Sequence, residues 1–573
     1  MSRLRKKLTN DDINELLQCE DEIPSDSESN AGTESEGEAF EPDRNRKIIS
    51  SSSSSESESD SEVTNIAKKR KILTEEAPNI KWTKTGRPTP PGNFTSSSGP
   101  AQNILDLENP TPYDICSEFI SDDVIDLIVF QTNLYAQQQD KRYTPTDAQE
   151  IRTFIGCNFL MGINKLPSYR DYWSTVPYLH NEYISKLMTV NRFGWILSHL
   201  HLNDNNLMPR RDSSNYDRLY KIRPFLDMIQ IKFKDNFFPS STLAIDESMI
   251  KFKGRSSLKQ YLPNKPIKRG YKVWMLADKS GYCVKFDLYT GKTDKVTTNL
   301  GEKVVNYLTA ELDGKNYHIY FDNYFTSVKL MENLKERQIN ACGVVNRTRK
   351  YLPPAFSSSK KNKRGDYESF MSNTGVAAVK WADNRNVHIL SNFHDPNKLD
   401  EVQRKQKDGS RKSYPCPTSI RDYNANMNAV DKFDQLMSSY KLDRRSRKWW
   451  HRIFFYFLDA AVINSYILNK QLNNNMPLKE FKGKCAEGFV VRTMVDGNTL
   501  TSSKPPIQIS NSKPSVSVEV RRTSSSHLPE RSTRRRCALC STKKDEVRTS
   551  WACTVCKVPL CMGKKLCFNK YHS

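Results

Sequence analysis

Long apolar runs are scarce in this sequence. The most apolar segment, Ile453 to Ile463, is interrupted by Asp459 and falls well short of the ~20 residues that a bilayer-spanning helix needs. No apolar stretch follows the basic N-terminus, so we expect neither a secretory signal nor a membrane partner. The segment at 453–463 is instead typical of a buried core helix.

Closely spaced cysteines are also missing from most of the chain. Seven of the 13 cysteines are scattered singly between Cys19 and Cys485, whereas six crowd the last 37 residues. This distribution favours a reducing compartment and a terminal metal module over a disulfide framework.

Charge is unevenly distributed along the 573 residues. Lys and Arg number 88 against 66 Asp and Glu, which gives a net charge of +22. Much of the acid lies between Cys19 and Glu62, so the remainder is more basic than the average. The asymmetry favours a polyanionic partner, although solubility alone would also account for it.

The length predicts several domains, and composition and periodicity divide the chain into seven segments. The first is a disordered, acidic, Ser-rich tail, because it has too little apolar surface to offset chain entropy. Its basic cluster Lys68–Lys71 is a candidate nuclear-import signal. The predicted segments are the tail (1–105), a helical region (106–240), the first part of an α/β core (241–349), an inserted β-rich segment (350–420), the second part of the core (421–475), a helical extension with a Ser/Pro-rich linker (476–530) and a Cys-rich module (531–573).

The core segment alternates short apolar runs with helical stretches, which predicts an α/β fold. Strands are expected at 243–245, 271–277, 282–289 and 318–321, and helices at 298–312 and 327–336. Further strands are expected at 376–381 and 387–390, and helices after Arg421 and up to about Leu472.

Three aspartates stand in apolar or basic surroundings. Asp246 follows Leu-Ala-Ile, Asp322 follows His-Ile-Tyr-Phe, and Asp431 follows Asn-Ala-Val. A carboxylate at the end of an apolar run is costly to desolvate unless a cation or a donor meets it, so the three suggest a shared metal site. For any one of them the alternative is a cap or a turn. Asp434 lies three residues after Asp431, on the same helix face.

An acidic metal site within a basic protein favours chemistry on phosphodiesters. Cations near the aspartates are candidate DNA contacts, and a tryptophan at the start of the last core helix is a candidate stacking residue, although a core anchor is the commoner role for such a tryptophan. These DNA-binding candidates are Arg255, Lys265, Lys268, Arg347, Arg349, Lys350, Arg447, Lys448 and Trp449.

The terminal cysteines form the strongest local motif. Two Cys-x2-Cys pairs, separated by twelve residues, precede two further cysteines and a histidine, a pattern that predicts tetrahedral zinc. The seven predicted ligands are Cys537, Cys540, Cys553, Cys556, Cys561, Cys567 and His572. Two sites need an eighth donor, for which an acidic side chain or water is the expectation.

Six motifs together resemble the piggyBac transposases and the piggyBac transposable element-derived proteins. They are Ile245-Asp-Glu-Ser, Phe252-x-Gly-Arg255, Tyr261-x-Pro-x-Lys265, Phe321-Asp-Asn-Tyr-Phe-Thr-Ser327, Val430-Asp-x-x-Asp-Gln435 and Ile463-Asn-Ser465. The resemblance covers about 110–573 and keeps the motif order. One departure is Asn428-Ala429, where many members carry Gly-Gly.

The resemblance implies a ribonuclease-H-like core with an inserted β-rich domain and flanking helical dimerisation and DNA-binding segments. It implies cut-and-paste DNA transposition: nicking at element ends, hairpin formation and resolution, and strand transfer into TTAA targets. Asp246, Asp322 and Asp431 fall on the family's triad for Mg²⁺ or Mn²⁺, with Asp434 on the adjacent acidic position. A nuclear homodimer acting on double-stranded DNA is therefore expected.

Two alternatives remain from the sequence. A domesticated derivative would bind DNA in the nucleus without transposing. An unrelated zinc-dependent transcription regulator would use the aspartates structurally and would lack Mg²⁺-dependent nuclease activity.

Overall fold

The computed structural model describes residues 79–573, apart from 140–142, 264, 292–298, 358–362, 407, 443, 445, 447, 473, 496–515, 517–520, 523–526, 543–544 and 564. The basic cluster Lys68–Lys71, the acidic run up to Glu62 and most of the expected linker lie outside the described residues.

Most of the helices follow one another along the chain: over the described ranges, seven precede the core strands, and two alternate with them. The helices are α1 (Gln102–Leu105), α2 (Pro112–Ser117), α3 (Asp122–Gln138), α4 (Ala148–Ile163), α5 (Glu182–Leu187), α6 (Val190–His199), α7 (Arg223–Asp235), α8 (Leu300–Leu308), α9 (Val328–Glu336), α10 (Thr418–Asn426), α11 (Ala429–Ser438), α12 (Trp449–Gln471), α13 (Leu478–Val495) and α14 (Cys567–His572).

The strands belong to one large sheet and three small pairs. They are β1 (Trp82–Thr83), β2 (Gly99–Pro100), β3 (Phe237–Phe238), β4 (Thr242–Lys251), β5 (Gln260–Tyr261), β6 (Arg269–Asp278), β7 (Cys283–Leu288), β8 (His318–Phe321), β9 (Asn340–Val344), β10 (Tyr367–Ser372), β11 (Ala377–Ala382), β12 (Asn386–Ser391), β13 (Leu399–Lys405), β14 (Arg411–Pro417), β15 (Pro529–Arg536) and β16 (Arg548–Cys553).

The expected α/β core is present, and its strands and helices are confirmed at the predicted places. The sheet runs β1-β10-β11-β12-β9-β8-β4-β6, with β5 and β7 both paired to β6. Strands β4, β8 and β9 are parallel, while β6 is antiparallel to β4 and β7 is antiparallel to β6. The ten-residue strand β4 therefore has a hydrogen-bonded neighbour on each side.

The two faces of the sheet pack against different helices. Leu243 and Ile245 of β4 join the apolar cluster that contains α8 and α9. Ala244 and Ile250 join the cluster that contains α11 and α12. Because side chains alternate along a strand, Asp246, two residues beyond Ala244, lies on the face of α11 and α12.

The end of the expected disordered tail needs a correction, because residues 79–105 take part in the fold. Trp82 and Thr83 pair with Ser372 and Met371 at the edge of the large sheet. Ile104 of α1 is fully buried. These few apolar residues gain their burial from partners far away in the chain, which local composition does not reveal.

Residues 350–420 carry the strands of the expected inserted segment. Strands β10, β11 and β12 extend the large sheet through the antiparallel pairing of β12 with β9. Strands β13 and β14 form a separate, largely exposed hairpin. The segment is thus continuous with the main sheet and carries one projecting hairpin.

The apolar segment at 453–463 is a core helix, as predicted, and lies within α12. Asp459 in this helix is almost fully buried, and its carboxylate contacts Lys482 of α13 with Nζ 2.5 Å from Oδ1. Lys482 also donates to the carbonyl of Tyr440, and the N–H of Leu442 donates to Asp459. In the described part of the chain, no helix is both long and apolar enough to span a membrane.

Replacing Lys482 by Met should destabilise the protein by about 3–5 kcal/mol, because it leaves the Asp459 carboxylate buried without its cation. Denaturant-induced unfolding would measure the loss. Lys484→Met, at an exposed position of the same helix, is the matched control and should change stability by less than about 0.5 kcal/mol. Equal effects of the two substitutions would contradict the role given to this ion pair.

Candidate active site and metal centres

Two of the three aspartates lie side by side on neighbouring parallel strands. Ile245 of β4 is in register with Phe321 of β8. In each case the next residue is an aspartate, so Asp246 and Asp322 lie opposite each other at the same position along the strand direction. Parallel strands lie about 4.8 Å apart, and residues in register point to the same face. The strand pairing therefore brings these two carboxylates together.

The third aspartate comes from helix α11, which packs on the same face of the sheet through Val430 and Phe433. Asp431 lies in the first turn of this helix and is exposed. Burial raises the pKa of the Tyr423 phenol, and the carboxylates of Asp322, Asp246 and Asp431 all raise it further. All three aspartates thus lie close enough to Tyr423 to act on its pKa.

The carboxylate oxygens of the three aspartates do not all lie within 4.8 Å of one another. Among the described residues, the groups whose ligand atoms all lie within 4.8 Å of one another consist of cysteine and histidine in the C-terminal region. The aspartates therefore border the site without closing around a single point.

Two lysines compensate the negative charges of Asp246 and its neighbour Glu247. Lys265 Nζ lies 3.7 Å from Asp246 Oδ2 and 3.4 Å from Glu247 Oε1. Lys272 Nζ lies 3.8 Å from Glu247 Oε2 and 4.6 Å from the ring centroid of Tyr324. Positive and negative groups alternate here, so each buried charge has an opposite neighbour.

Burial nevertheless dominates the electrostatics of the acids. It raises the pKa of Asp246 to about 7, with Glu247 and Asp322 acting in the same direction and Lys265 against it. It also raises the pKa of Asp434 to about 6, although a hydrogen bond from Ser248 lowers it. The site thus holds carboxylates whose ionised forms need a further cation or donor.

The turn after Asp322 is fixed by its own motif. Thr326 Oγ1 donates to the carbonyl of Asp322 at 2.9 Å. A Cβ at Gly343 of β9 would lie 2.4 Å from that hydroxyl, so only glycine admits this close approach. Arg349 donates to the carbonyls of Asn323 and Tyr324 at 3.0 and 2.7 Å. The arginine expected to contact DNA thus also supports the turn.

The other DNA-binding candidates fall into two groups. Four are exposed in loops: Arg255 between β4 and β5, Lys268 between β5 and β6, and Arg347 and Lys350 after β9. Those that sequence reasoning placed on the last core helix contact the protein itself: Lys448 donates to the carbonyl of Ser198, and Trp449 packs edge-on against Tyr271 with ring centroids 6.4 Å apart. Arg447 lies outside the described residues.

The C-terminal region brings its cysteines and histidines into two groups. Cys537, Cys540, Cys561 and Cys567 form the first group, and their sulfur atoms lie within 4.8 Å of one another. The Sγ atoms of Cys540 and Cys561 are 3.7 Å apart, and the thiols are free. Four thiols at this spacing suit tetrahedral zinc.

The second group contains a residue that sequence reasoning missed. His527 Nδ1 lies 3.3 Å from Cys553 Sγ and 3.4 Å from Cys556 Sγ. His572 Nε2 lies 3.5 Å from Cys556 Sγ, which completes a group of two cysteines and two histidines. The expected eighth donor, an acidic side chain or water, was therefore wrong, because the histidine fills that place from outside the predicted module.

The two groups are interleaved along the chain. The Cys537/Cys540 pair belongs to the first group, the Cys553/Cys556 pair to the second, and the later ligands again alternate. Burial raises the pKa of Cys537, but N–H donors of Cys540, Leu539 and Cys561 bring it to about 7. These donors favour the thiolate that a metal binds.

Comparisons with known proteins agree with this architecture. Residues 111–466 match the family model described as Transposase IS4. PiggyBac transposable element-derived protein 2 from Homo sapiens is 30% identical over 414 residues, which are 70% of this chain and 69% of the relative. PiggyBac transposable element-derived protein 3 from Homo sapiens is 29% identical over 477 residues, 81% of this chain and 76% of the relative. A cryo-EM structure of piggyBac transposase in a synaptic complex with hairpin DNA superposes with a TM-score of 0.60 at 23% identity, covering 81% of this chain and 98% of that chain.

Replacing Asp246 by Asn should raise the thermal unfolding midpoint at pH 8 when no divalent metal is added. Burial raises the pKa of this carboxyl from its ordinary 3.8 to about 7 in the folded state. Its stabilising contribution is therefore present below pH 3.8 and is lost as the pH rises to 7. The difference from the wild type should shrink at pH 5, where the carboxyl is largely protonated. The same pH dependence in the exposed variant Asp235→Asn would refute this account.

Replacing His527 by Ala should lower the zinc content of the purified chain from two ions towards one, because one group loses a ligand while the other keeps all four. Metal analysis by mass spectrometry would measure it. His527→Cys restores a donor and should retain both ions. Two bound ions in His527→Ala would exclude His527 as a ligand.

Proposed function

This chain belongs to the piggyBac family of transposases and transposable element-derived proteins, and from that premise we propose that it is a DNA cut-and-paste transposase. The observation that carries the proposal is the placement of Asp246 and Asp322 in register on adjacent parallel strands, with Asp431 presented from α11. A purely structural role would not require three carboxylates around one site, where their mutual repulsion is unfavourable.

The catalytic core is proposed to be ribonuclease-H-like. The strand order β7-β6-β4-β8-β9, antiparallel in its first three strands and parallel in its last three, supports this assignment. Helices cover both faces, as a core buried on two sides requires.

Asp246, Asp322 and Asp431 are the residues that would hold Mg²⁺ or Mn²⁺. Their carboxylate oxygens are the hard donors that these ions prefer, and a few of them suffice because substrate phosphate and water complete the coordination. When bound, a pair of such ions activates a water or a 3′-hydroxyl and stabilises the leaving oxygen of a phosphodiester.

The proposed reaction starts with hydrolysis of the P–O3′ bond at an element end, which frees a 3′-hydroxyl. That hydroxyl attacks a phosphodiester of the opposite strand, which forms a hairpin and releases the 3′-hydroxyl of the flanking DNA. Hydrolysis of the hairpin restores the 3′-hydroxyl of the element end, which then attacks a phosphodiester of a TTAA target and displaces a 3′-hydroxyl of the target strand. The rigid register of β4 and β8 keeps Asp246 and Asp322 in place through each exchange. The similar piggyBac transposase, which holds hairpin DNA in a synaptic complex, supports the hairpin step.

Exposed cations beside the aspartates would bind the DNA backbone. Arg255 lies between β4 and β5 and Lys268 between β5 and β6, while Arg347 and Lys350 follow β9. Parallel strands β8 and β9 end at the same edge, so the second pair flanks Asp322. These side chains would neutralise phosphates on either side of the scissile bond.

The remaining parts of the proposal concern assembly and location. The two cysteine and histidine groups are proposed to hold two zinc ions that fold a module for binding DNA ends. A homodimer would bring two element ends together. A nuclear location follows from the substrate.

The test is Mg²⁺-dependent cleavage and strand transfer by the purified full chain on DNA with the terminal sequences that flank its own gene. Asp322→Asn should lower cleavage by at least about 100-fold, because the amide is a poor metal ligand, while DNA binding persists. Asp235→Asn, at an exposed position on α7, should cleave like the wild type. Wild-type cleavage by Asp322→Asn would remove that residue from the mechanism.

A second candidate function is supported by the relatives whose names describe them as transposable element-derived. In that case the chain would bind DNA without transposing. Tight binding to the terminal sequences with no Mg²⁺-dependent cleavage would favour this alternative.

A further inference from the structure

Three elements of the fold meet at the hydroxyl of Ser248, which donates to the carboxylate of Asp434. Ser248 Oγ, on β4, donates to Asp434 Oδ1 on α11 at 2.5 Å. The same hydroxyl lies 2.9 Å from the phenolic oxygen of Tyr456 on α12. Ser248 is 1% exposed, so its hydroxyl depends on these partners rather than on water.

The spacing of these residues links the network to the aspartate triad. Ser248 lies two residues after Asp246 on β4, so both side chains point to the same face of the sheet. Asp434 lies three residues after Asp431, so both stand on one face of α11. The Ser248–Asp434 hydrogen bond therefore joins the strand that carries Asp246 to the helix that carries Asp431.

Helix α12, which carries Tyr456, is also hydrogen-bonded to the sheet away from Ser248. Asn464 of this helix accepts from the N–H of Cys283 and donates to its carbonyl, both at 2.9 Å. Asn464 is fully buried, as is Cys283 on β7. The helix that carries Tyr456 is thus fastened to the sheet at a second, independent point.

We propose that Ser248 and Tyr456 are positioning residues, which hold Asp434 so that α11 presents Asp431 to the metal site, and that Asp434 is an anchor and not a metal ligand. The inference rests on the proposed function, since it takes Asp246, Asp322 and Asp431 as the ligands. It revises the role expected for Asp434 from the sequence.

The two roles of Asp434 predict opposite results for Ser248→Ala. If Asp434 is an anchor, losing the donor loosens α11, and metal affinity should fall by about 10-fold or more, as for other outer-shell partners. If Asp434 is a ligand, losing the donor frees its oxygen, and affinity should stay or increase. Asp434→Asn separates the roles again, because an amide oxygen still accepts from Ser248 but binds metal poorly.

The experiment is Mn²⁺ binding to the full chain without DNA, followed by electron paramagnetic resonance, with thermal unfolding recorded for every variant. The positioning role predicts weaker binding in Ser248→Ala and Tyr456→Phe, and binding within about threefold of the wild type in Asp434→Asn. Ser465→Ala and Tyr466→Phe are matched controls on α12, because both side chains are buried outside the network; both should bind Mn²⁺ normally.

Each outcome decides one point. Normal Mn²⁺ binding by Ser248→Ala, together with loss of binding in Asp434→Asn, would overturn the positioning role and make Asp434 a ligand. Asp431→Asn tests the premise separately, because it should abolish this binding. If it does not, the proposed metal site itself fails, and that failure is distinguishable from failure of the positioning role. If the control variants lose as much thermal stability and Mn²⁺ affinity as Ser248→Ala and Tyr456→Phe, the weaker binding reflects general unfolding, and the positioning role is refuted.

Discussion

The arrangement of this structure depends on one constraint: it must hold several carboxylates of like charge close together in a partly buried site. Asp246 is 8% exposed and has two other acids nearby. Ionised groups in such surroundings repel each other and lose hydration, so they stay together only where the backbone gives them no freedom to separate. Strand β4, paired on both sides, supplies that rigidity, and Lys265 supplies the compensating charge.

The parts of this site that follow from local chemistry were predictable from the sequence. The runs that end at Asp246 and Asp322 have strand-like composition, and strands β4 and β8 lie at the expected places. The spacing of Asp431 and Asp434 predicts a shared helix face, and α11 begins at Ala429 despite the departure from Gly-Gly. In each case the signal lies within a few residues of the feature, because hydrogen bonding and side-chain period act over that range.

What could not be predicted depends on partners distant in the chain. His527 has no Cys-x2-Cys spacing to mark it and joins residues 26 positions later in the sequence. The role of Lys265 as the partner of Asp246 and Glu247 depends on how the loop after β4 folds back. Ser248 looks like an ordinary strand residue until α11 and α12 are packed against it. Tertiary contacts, and not propensity, decide these roles.

The pairing of β1 with β10 sets the order in which the sheet can be completed during synthesis. Trp82 needs Ser372 as its partner, 290 residues later. At the ~5–20 residues per second of translation, β1 waits about 15–60 s before its partner has been made. The edge strand is therefore a late addition to the sheet, and a chain interrupted before β10 leaves an unpaired, tryptophan-bearing segment that chaperones and proteases can recognise.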